Sequence, residues 1–241
     1  MKNKLKYLLT ISTLLNITAC TATTKTIAPY YGKHIPIVSL LVEPIALQSK
    51  TDIEKIKAAK WFFEGEVKKG NEIITYNSCD TLLMLDAKGF KATNDREQAA
   101  NEMNINSCNL FNEIKFLNTS KISYIDNELL TINFPNIAPP EFAFIISRDD
   151  ERKLKSAKSW QEMSHIKKIE KRDEEQVIYY DNSGGMQSLS IVAKGDYNQD
   201  GIEDVIFSME NSVIEGSYSA TEAYIITRLS IEAPYTLLKQ L

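Results

Sequence analysis

The loop formed by residues 196–204 carries the side chains of this sequence that are best suited to bind an ion. Oxygen-bearing side chains stand at its first, third, fifth and ninth positions: Asp196, Asn198, Asp200 and Asp204. Gly201 permits the sharp turn that points alternate side chains inward, and the backbone carbonyl of Ile202 adds an oxygen. Because Ca2+ takes about six to eight oxygen ligands, this spacing predicts a calcium loop. The alternative is an Asx-rich hairpin turn without an ion.

The segments on either side of the loop decide which kind of calcium site it resembles. A helical EF-hand needs a bidentate Glu at position twelve, where this chain has Phe207. Residues 189–193 and 205–207 are strand-like in composition. The loop therefore resembles the strand–loop–strand calcium site of FG-GAP/VCBS-type repeats, over about 15 residues. The resemblance implies side-chain ligands from four residues and a carbonyl ligand from a fifth: Asp196, Asn198, Asp200, Asp204 and Ile202.

A single site of this type implies a structural ion. Three carboxylates in one loop repel one another unless a cation neutralises them, so Ca2+ binding should stabilise the fold. The repeat occurs once in this chain, so the propeller that the family builds from many copies is not implied.

Catalytic residues are not indicated by any motif. Ser183 and Ser188 lie near glycines, but the chain has no GxSxG sequence. A Ser-His-Asp site would have to use His34 or His165, the two histidines of the chain. Acidic pairs such as residues 149–150 are abundant and are typical of a solvated surface.

The cysteines are Cys20, Cys79 and Cys108. If Cys20 carries a lipid, the other two cysteines remain as a pair. In an oxidising compartment we expect this pair to form a disulfide. Such a bridge would stabilise the fold by roughly 3–4 kcal/mol in the chain-entropy description. The alternative is two buried free thiols. The wide spacing excludes a CxxC redox pair, and no histidine stands at zinc-ligand spacing from a cysteine.

Residues 1–20 resemble the signal of bacterial lipoproteins. Three lysines (Lys2, Lys4 and Lys6) precede an apolar run at 7–17, and a small-residue cleavage pattern ends at Cys20. The resemblance implies cleavage before Cys20 and acylation of its sulfur with palmitate-like chains, which anchor the protein in a membrane. The apolar run is too short to span a bilayer. Thr21 follows in place of Asp, which resembles outer-membrane sorting facing the periplasm if the source is Gram-negative.

Composition indicates that the chain is a folded, acidic protein. Removal of residues 1–19 takes away three lysines and no acidic residue, leaving 25 Lys and Arg against 32 Asp and Glu, a net charge of −7. Without a basic cluster, nucleic-acid binding is not expected. At 43% hydrophobic residues, the chain can fill one large core or two small ones.

Hydrophobic patterning predicts an α+β fold, mainly antiparallel β-sheet with a few short helices. Helices are predicted at 51–61 and 94–103, and a hairpin at 62–76 around the Gly70 turn. The remaining strand candidates before the C-terminal part are 81–85, 113–118, 121–125, 128–134 and 142–147. A C-terminal β-meander that carries the calcium loop is predicted with strands at 176–180, 187–194, 204–209, 222–229 and 235–239.

These elements divide the chain into five segments. They are a signal peptide at 1–19, a lipidated tether at 20–35, an N-terminal α+β region at 36–147, a charged helical segment at 148–175 and a C-terminal β region at 176–241. Whether the two larger regions form one domain or two is left open by the sequence.

We expect a lipid-anchored cell-envelope protein with a non-enzymatic, structural or interaction role and an envelope protein or peptidoglycan as partner. One alternative is an envelope hydrolase that acts on peptidoglycan or glycans. Another is a periplasmic ligand-binding or inhibitor module. A deep pocket with converging carboxylates or His165 would favour the enzyme, and an exposed apolar patch would favour the interaction role.

Overall fold

The computed structural model describes residues 25–216 and 219–241. The helices are α1 (Lys50–Ala58), α2 (Cys79–Ala87), α3 (Asp95–Ile114), α4 (Arg148–Leu154) and α5 (Trp160–Ser164), with short 3-10 turns at Val38–Leu40, Phe134–Asn136 and Pro140–Phe142. The strands are β1 (Tyr30–Tyr31), β2 (Gly65–Lys69), β3 (Glu72–Tyr76), β4 (Lys91–Ala92), β5 (Lys168–Lys171), β6 (Gln176–Tyr180), β7 (Gly185–Gly195), β8 (Asp204–Val213), β9 (Ser219–Thr227) and β10 (Thr236–Gln240). The predicted lipid-attachment residue Cys20 and its signal lie outside the described residues.

The C-terminal β-meander dominates the molecule. Strands β5 to β10 pair in sequence order, each antiparallel to the next, and β1 adds a seventh strand against the end of β7. Strands β7 and β8 are buried almost continuously because both faces of the sheet are covered. The predicted α+β class with an antiparallel C-terminal meander is confirmed.

Two hydrophobic cores lie on the two faces of this sheet. One core combines α1, α2 and α3 with Val192, Ile206 and Ile225 of the sheet. The other contains residues of the 129–166 segment, among them Phe142 and Trp160, packed on Leu189, Phe207 and Tyr224. The N-terminal helices and the C-terminal meander therefore share a core. The sheet joins these two regions, for which the sequence did not distinguish one domain from two.

One predicted strand is a helix and another begins at the end of one, for identifiable physical reasons. Residues 81–85 belong to α2, because the Ser78 side chain accepts the Thr81 N–H as an N-cap and the following Leu-Leu-Met-Leu run has high helix propensity. The strand predicted at 113–118 is wrong, because α3 continues to Ile114. Cys108, Phe111 and Ile114 fall three residues apart and pack on the first core.

The segment between α3 and α4 contains little regular structure. The strands predicted at 121–125 and 128–134 are absent from the described residues there. An isolated bridge joins Ile122 to Ile202, and the Phe134–Asn136 turn holds Pro135. Residues 142–147 likewise begin in the 3-10 turn that ends at Phe142 and form no strand. Prolines at 135, 139 and 140 remove backbone donors, so this segment covers the sheet with side chains.

The charged segment 148–175 is only half helical. It begins with two short helices, α4 and α5, which are separated by the C-cap Lys155 and the N-cap Ser159. His165 then ends α5 in the left-handed conformation, with φ 49°. From Lys168 the chain forms β5 and pairs with β6, so the predicted helical character of this part is wrong. Local composition could not show that a strand edge was available there.

The predicted tether at 20–35 differs from the structure in its second half. Tyr30 and Tyr31 form β1 on β7, and Gly32 donates its N–H to the Val192 carbonyl at 2.8 Å. A Cβ at Gly32 would meet the Ile191 carbonyl oxygen at 2.2 Å, so the close approach of these backbones requires glycine. Any spacer between a lipid and the folded body therefore ends before residue 30.

A second, smaller sheet stands beside the helices, with strand order β3-β2-β4. Strands β2 and β3 form the hairpin predicted from the sequence, with Gly70 at φ 60° in the turn. Among the described residues, no helix is long and apolar enough to cross a bilayer.

Candidate functional site

The predicted calcium loop connects β7 to β8. Strand β7 ends at Gly195 and β8 begins at Asp204, so the loop joins two neighbouring antiparallel strands, as the strand–loop–strand prediction requires. Gly201 has φ 88°, which a residue with a side chain rarely adopts, and Gln199 shares the left-handed region at φ 66°. These two positions let the chain curl back on itself within nine residues.

Hydrogen bonds inside the loop gather three of the predicted ligands. The carboxylate of Asp196 accepts the N–H of Asp200 at 3.1 Å and of Gly201 at 2.9 Å. Asn198 also accepts the Asp200 N–H through its side-chain oxygen, and its amide nitrogen donates to Asp200 Oδ2 at 2.9 Å. Asp200 Oδ1 accepts the Ile202 N–H at 2.7 Å. These contacts account for much of the curl without an ion.

Asp204 is the exceptional residue of the set. Its side chain is fully buried, and Oδ2 accepts the Tyr197 N–H at 2.8 Å, whereas Oδ1 has no hydrogen-bond partner among the described residues. The buried Thr227 hydroxyl lies close enough to this carboxylate to lower its pKa, but the two groups do not reach normal hydrogen-bonding geometry. Burial raises the pKa of Asp204 to about 6, and the charge of Asp200 adds to the rise, while the Thr227 hydroxyl and the Tyr197 N–H oppose it. A buried carboxylate oxygen without a donor is costly unless a proton or a cation reaches it.

The donor chemistry of the loop fits a hard cation. Asp204 Oδ1 lacks a partner, and the Ile202 carbonyl accepts no hydrogen bond in the described part of the chain. Both are oxygen donors of the kind that Ca2+ prefers. The carboxylates of Asp196, Asp200 and Asp204 are nevertheless not gathered as a group of three that could hold a metal ion in the described residues. Asp196 and Asp200 turn oxygens toward backbone N–H groups, so binding would require part of the set to turn inward.

Contacts that the sequence could not indicate hold the loop from outside. The segment after α3 exchanges backbone hydrogen bonds with it, between Asn118 and Asp196 at 2.8 and 3.0 Å and from Lys121 to Gly201 at 2.7 Å. The Tyr197 hydroxyl donates to Glu113 at 2.5 Å. Burial raises the pKa of Tyr197, and the contact with Glu113 raises it further. The loop is thereby fixed to α3.

Cys79 and Cys108 form a disulfide, so the predicted bridge is present. Cys79 opens α2 and Cys108 lies in the middle of α3, and both are fully buried in the first core. The bridge therefore joins two helices that pack on the same face of the large sheet.

His34 takes part in a contact that the sequence did not indicate. Its Nε2 lies 2.6 Å from Asp173 Oδ2. This contact lowers the pKa of the Asp173 carboxyl below its usual value, and the hydrogen bond from the Glu175 N–H adds a smaller effect in the same direction. His34 also lines a cavity of about 360 Å³ together with Ser188, Ser190 and Ser208. Among the described residues, His34 makes no hydrogen bond to a serine hydroxyl, so a nucleophile–base pair is not assembled there.

His165 lines a different cavity, of about 440 Å³, with Asp150, Glu162 and Asp181. Each carboxylate already accepts hydrogen bonds from groups close to it in sequence. Asp181 Oδ1 accepts three hydrogen bonds in the turn after β6, and Glu162 accepts the Lys158 N–H at 2.8 Å. Asp150 accepts the Ser147 hydroxyl at the start of α4. These acids stabilise turns and helix ends, which accounts for their presence without catalysis.

Comparisons with protein-family models, with curated proteins and with solved structures give no match for this chain.

Proposed function

We propose that this chain is a lipid-anchored cell-envelope protein with a non-enzymatic, structural or interaction role, stabilised by Ca2+ in the 196–204 loop and by the Cys79–Cys108 disulfide. Lipid on Cys20 would attach it to the membrane, at the periplasmic side of the outer membrane in a Gram-negative cell. An envelope protein or peptidoglycan would be its partner, and nucleic acid would not. The disulfide supports this location because such bridges persist in oxidising compartments.

The observation that carries the calcium part is the buried Asp204 Oδ1 without a partner. A cation in the loop would satisfy that oxygen and the Ile202 carbonyl together, and it would offset the repulsion among the three carboxylates. When bound, the ion would stiffen the connection between the two central strands of the sheet. The hydrogen bond between Tyr197 and Glu113 would connect the ordered loop to α3.

Exposed apolar side chains support the interaction role. Val42 and Phe62 are 60% and 67% exposed, and their segments exchange backbone hydrogen bonds, from Val42 to Lys60 and from Phe62 to Leu40. The two side chains therefore lie on adjacent pieces of backbone, and Ala59 and Ile45 line a small cavity with Val42. Apolar groups grouped in this way at a surface are typical of contact sites for other proteins.

Replacement of Cys20 by Ser is expected to abolish membrane attachment. In a Gram-negative host fed an alkyne analogue of palmitate, the full-length chain should acquire the label and enter the detergent phase of a phase-separation assay. Cys20→Ser should do neither, because the acylated sulfur is missing. A chain with both Cys79 and Cys108 replaced by Ala is the matched control and should keep the label. Labelled Cys20→Ser, or an unlabelled wild type, would refute lipidation at this position.

A hydrolase is the second candidate, and one arrangement favours it: the 2.6 Å contact of His34 with Asp173 beside a cavity lined by serines. A fluorophosphonate probe, which reacts only with activated serines, distinguishes the two candidates. Under the non-enzymatic proposal, the full-length chain is not labelled above the level of the heat-unfolded protein. Labelling that disappears in His34→Ala and persists in His165→Ala would establish the hydrolase instead.

A further inference from the structure

One face of the large sheet changes from apolar to polar side chains about halfway along its strands. On the face that carries the first core, β7, β8 and β9 contribute Val192, Ile206 and Ile225 near the calcium loop. Two residues farther along β7 and β8 the side chains become polar, with Ser190 and Ser208 in place of aliphatic groups, whereas β9 still has the apolar Ala223 opposite Ser208. Since alternate residues of a strand share a face, these serines continue the same surface beyond the apolar core.

Strand register arranges the polar side chains in two rows. Gln176, Ser190 and Ser208 oppose one another across β6, β7 and β8, and Ser188, Glu210 and Thr221 form the next row across β7, β8 and β9. Gln176 Nε2 donates to Ser190 Oγ at 3.0 Å. Among the described residues, the side chains of Ser188, Ser208, Glu210 and Thr221 make no hydrogen bond, so they are available to a ligand.

Residues 33–39, which we name the cover segment, close this surface into the 360 Å³ cavity. The segment is fixed at its start, where the Lys33 N–H donates to Glu175 Oε2 at 2.6 Å and the Tyr30 hydroxyl donates to the same carboxylate. Burial of Ile35 and Ile37 in the first core fixes its middle. The cover segment is therefore a fixed wall of a cavity that stays open to solvent.

Two opposite charges line the cavity and remain apart. Lys33 and Glu210 are both exposed, and neither forms an ion pair within the described part of the chain. Lys33 is held beside the start of β6, and Glu210 lies on β8, two strands away. Two strand spacings amount to about 10 Å, and Glu210 lies three residues farther along the strands than Glu175, so the two backbone positions are roughly 14 Å apart. The polar rows lie between the two charges.

A ligand that satisfies this cavity needs a negative end, a positive end and hydrogen-bonding groups between them. An apolar ligand would leave the hydroxyls and both charges unpaired. The described lining residues include no Phe, Tyr or Trp ring on which the face of a sugar could pack. An extended peptide spans about 3.3–3.6 Å per residue, so three or four residues, together with the reach of the Lys33 and Glu210 side chains, match this separation. We propose that the cavity binds a short peptide of about three residues with free termini, its carboxylate at Lys33 and its amino group at Glu210.

Isothermal titration of the full-length chain in non-ionic detergent tests the proposal, with trialanine as the probe. We expect saturable binding of trialanine and none of N-acetyl-trialanine amide, in which both charges are removed. Free alanine, with its charges too close together, should bind more weakly than trialanine. Glu210→Gln and Lys33→Gln should each weaken trialanine binding about five-fold, as expected for partly exposed ion pairs. Glu72→Gln, an exposed residue of the β2–β3 hairpin, is the matched control and should bind as wild type.

Three outcomes would overturn the proposal. They are an absence of saturable trialanine binding, equal binding of the free and capped peptides, and unchanged affinity in both Glu210→Gln and Lys33→Gln. Binding of glucose in preference to trialanine would assign the cavity to a neutral polyol and would also overturn it. None of these results depends on the calcium loop or on lipid at Cys20.

Discussion

Replacement of Asp204 by Asn is expected to stabilise the protein in the presence of a chelator and to abolish its stabilisation by Ca2+. Without a cation, the wild-type protein buries a carboxylate with one unpartnered oxygen. Asn carries no charge, keeps an oxygen for the Tyr197 N–H, and offers an N–H to the unpartnered Thr227 hydroxyl. The same change removes an anionic oxygen that a calcium ion would need.

The pH dependence of the metal-free protein has a defined sign. The pKa of Asp204 is about 6 in the folded protein, above its ordinary value of 3.8. The folded state therefore holds a proton that the unfolded state has released between these values, and stability falls as pH rises from about 4 through 6. At pH 7.5 the resulting loss in the free energy of unfolding amounts to as much as about 3 kcal/mol. Asp204→Asn should recover part of this loss.

Thermal unfolding of the full-length chain at pH 7.5, with chelator and with millimolar Ca2+, measures both effects. Calcium at about a hundred times its dissociation constant should stabilise the wild type by about 2.7 kcal/mol, or roughly 5–10 °C. Asp204→Asn should melt above the wild type in chelator and show no calcium shift, and Glu72→Gln should behave as wild type. A wild-type melting temperature unaffected by Ca2+, together with no heat on calcium titration, would sink the calcium proposal.

Loss of the Cys79–Cys108 disulfide is expected to destabilise the protein by about 3–4 kcal/mol. The bridge closes a loop with a sequence separation of 29 residues, and without it the unfolded chain gains conformational freedom. Replacement of both cysteines by Ala also removes two fully buried sulfur atoms where α2 packs on α3. For a chain of this length the melting temperature should fall by roughly 10 °C.

Thermal unfolding with and without dithiothreitol provides the measurement. The wild type should lose stability on reduction, and the variant with both cysteines replaced by Ala should be insensitive to it. Cys20→Ser, which leaves the bridge intact, is the control and should respond as the wild type does. A reductant effect of equal size in the double variant, or unchanged stability after complete reduction of the wild type, would contradict the prediction.

Sequence reasoning was strongest where the signal is local. The 196–204 loop, the β2–β3 hairpin around Gly70 and the C-terminal strands were all predicted, because turn residues and short apolar runs act over neighbouring residues. It failed at 81–85 and 113–118, where an N-cap and a three-residue spacing outweighed an apolar run that resembles a strand. Strand β5 was missed because its charged sequence forms a strand only beside β6.

The sequence by itself determined the antiparallel α+β class, the cysteine pair and the oxygen-bearing loop, since each depends on residue type and short spacing. Only the tertiary structure decided that Asp204 is buried with an unpartnered oxygen, that His34 lies against Asp173, and that polar rows face the cover segment. These features arise where the strands of the meander pair in a particular register and where residues 30–39, far away in sequence, pack against them. A shift of one residue in that register would turn every side chain to the opposite face of the sheet.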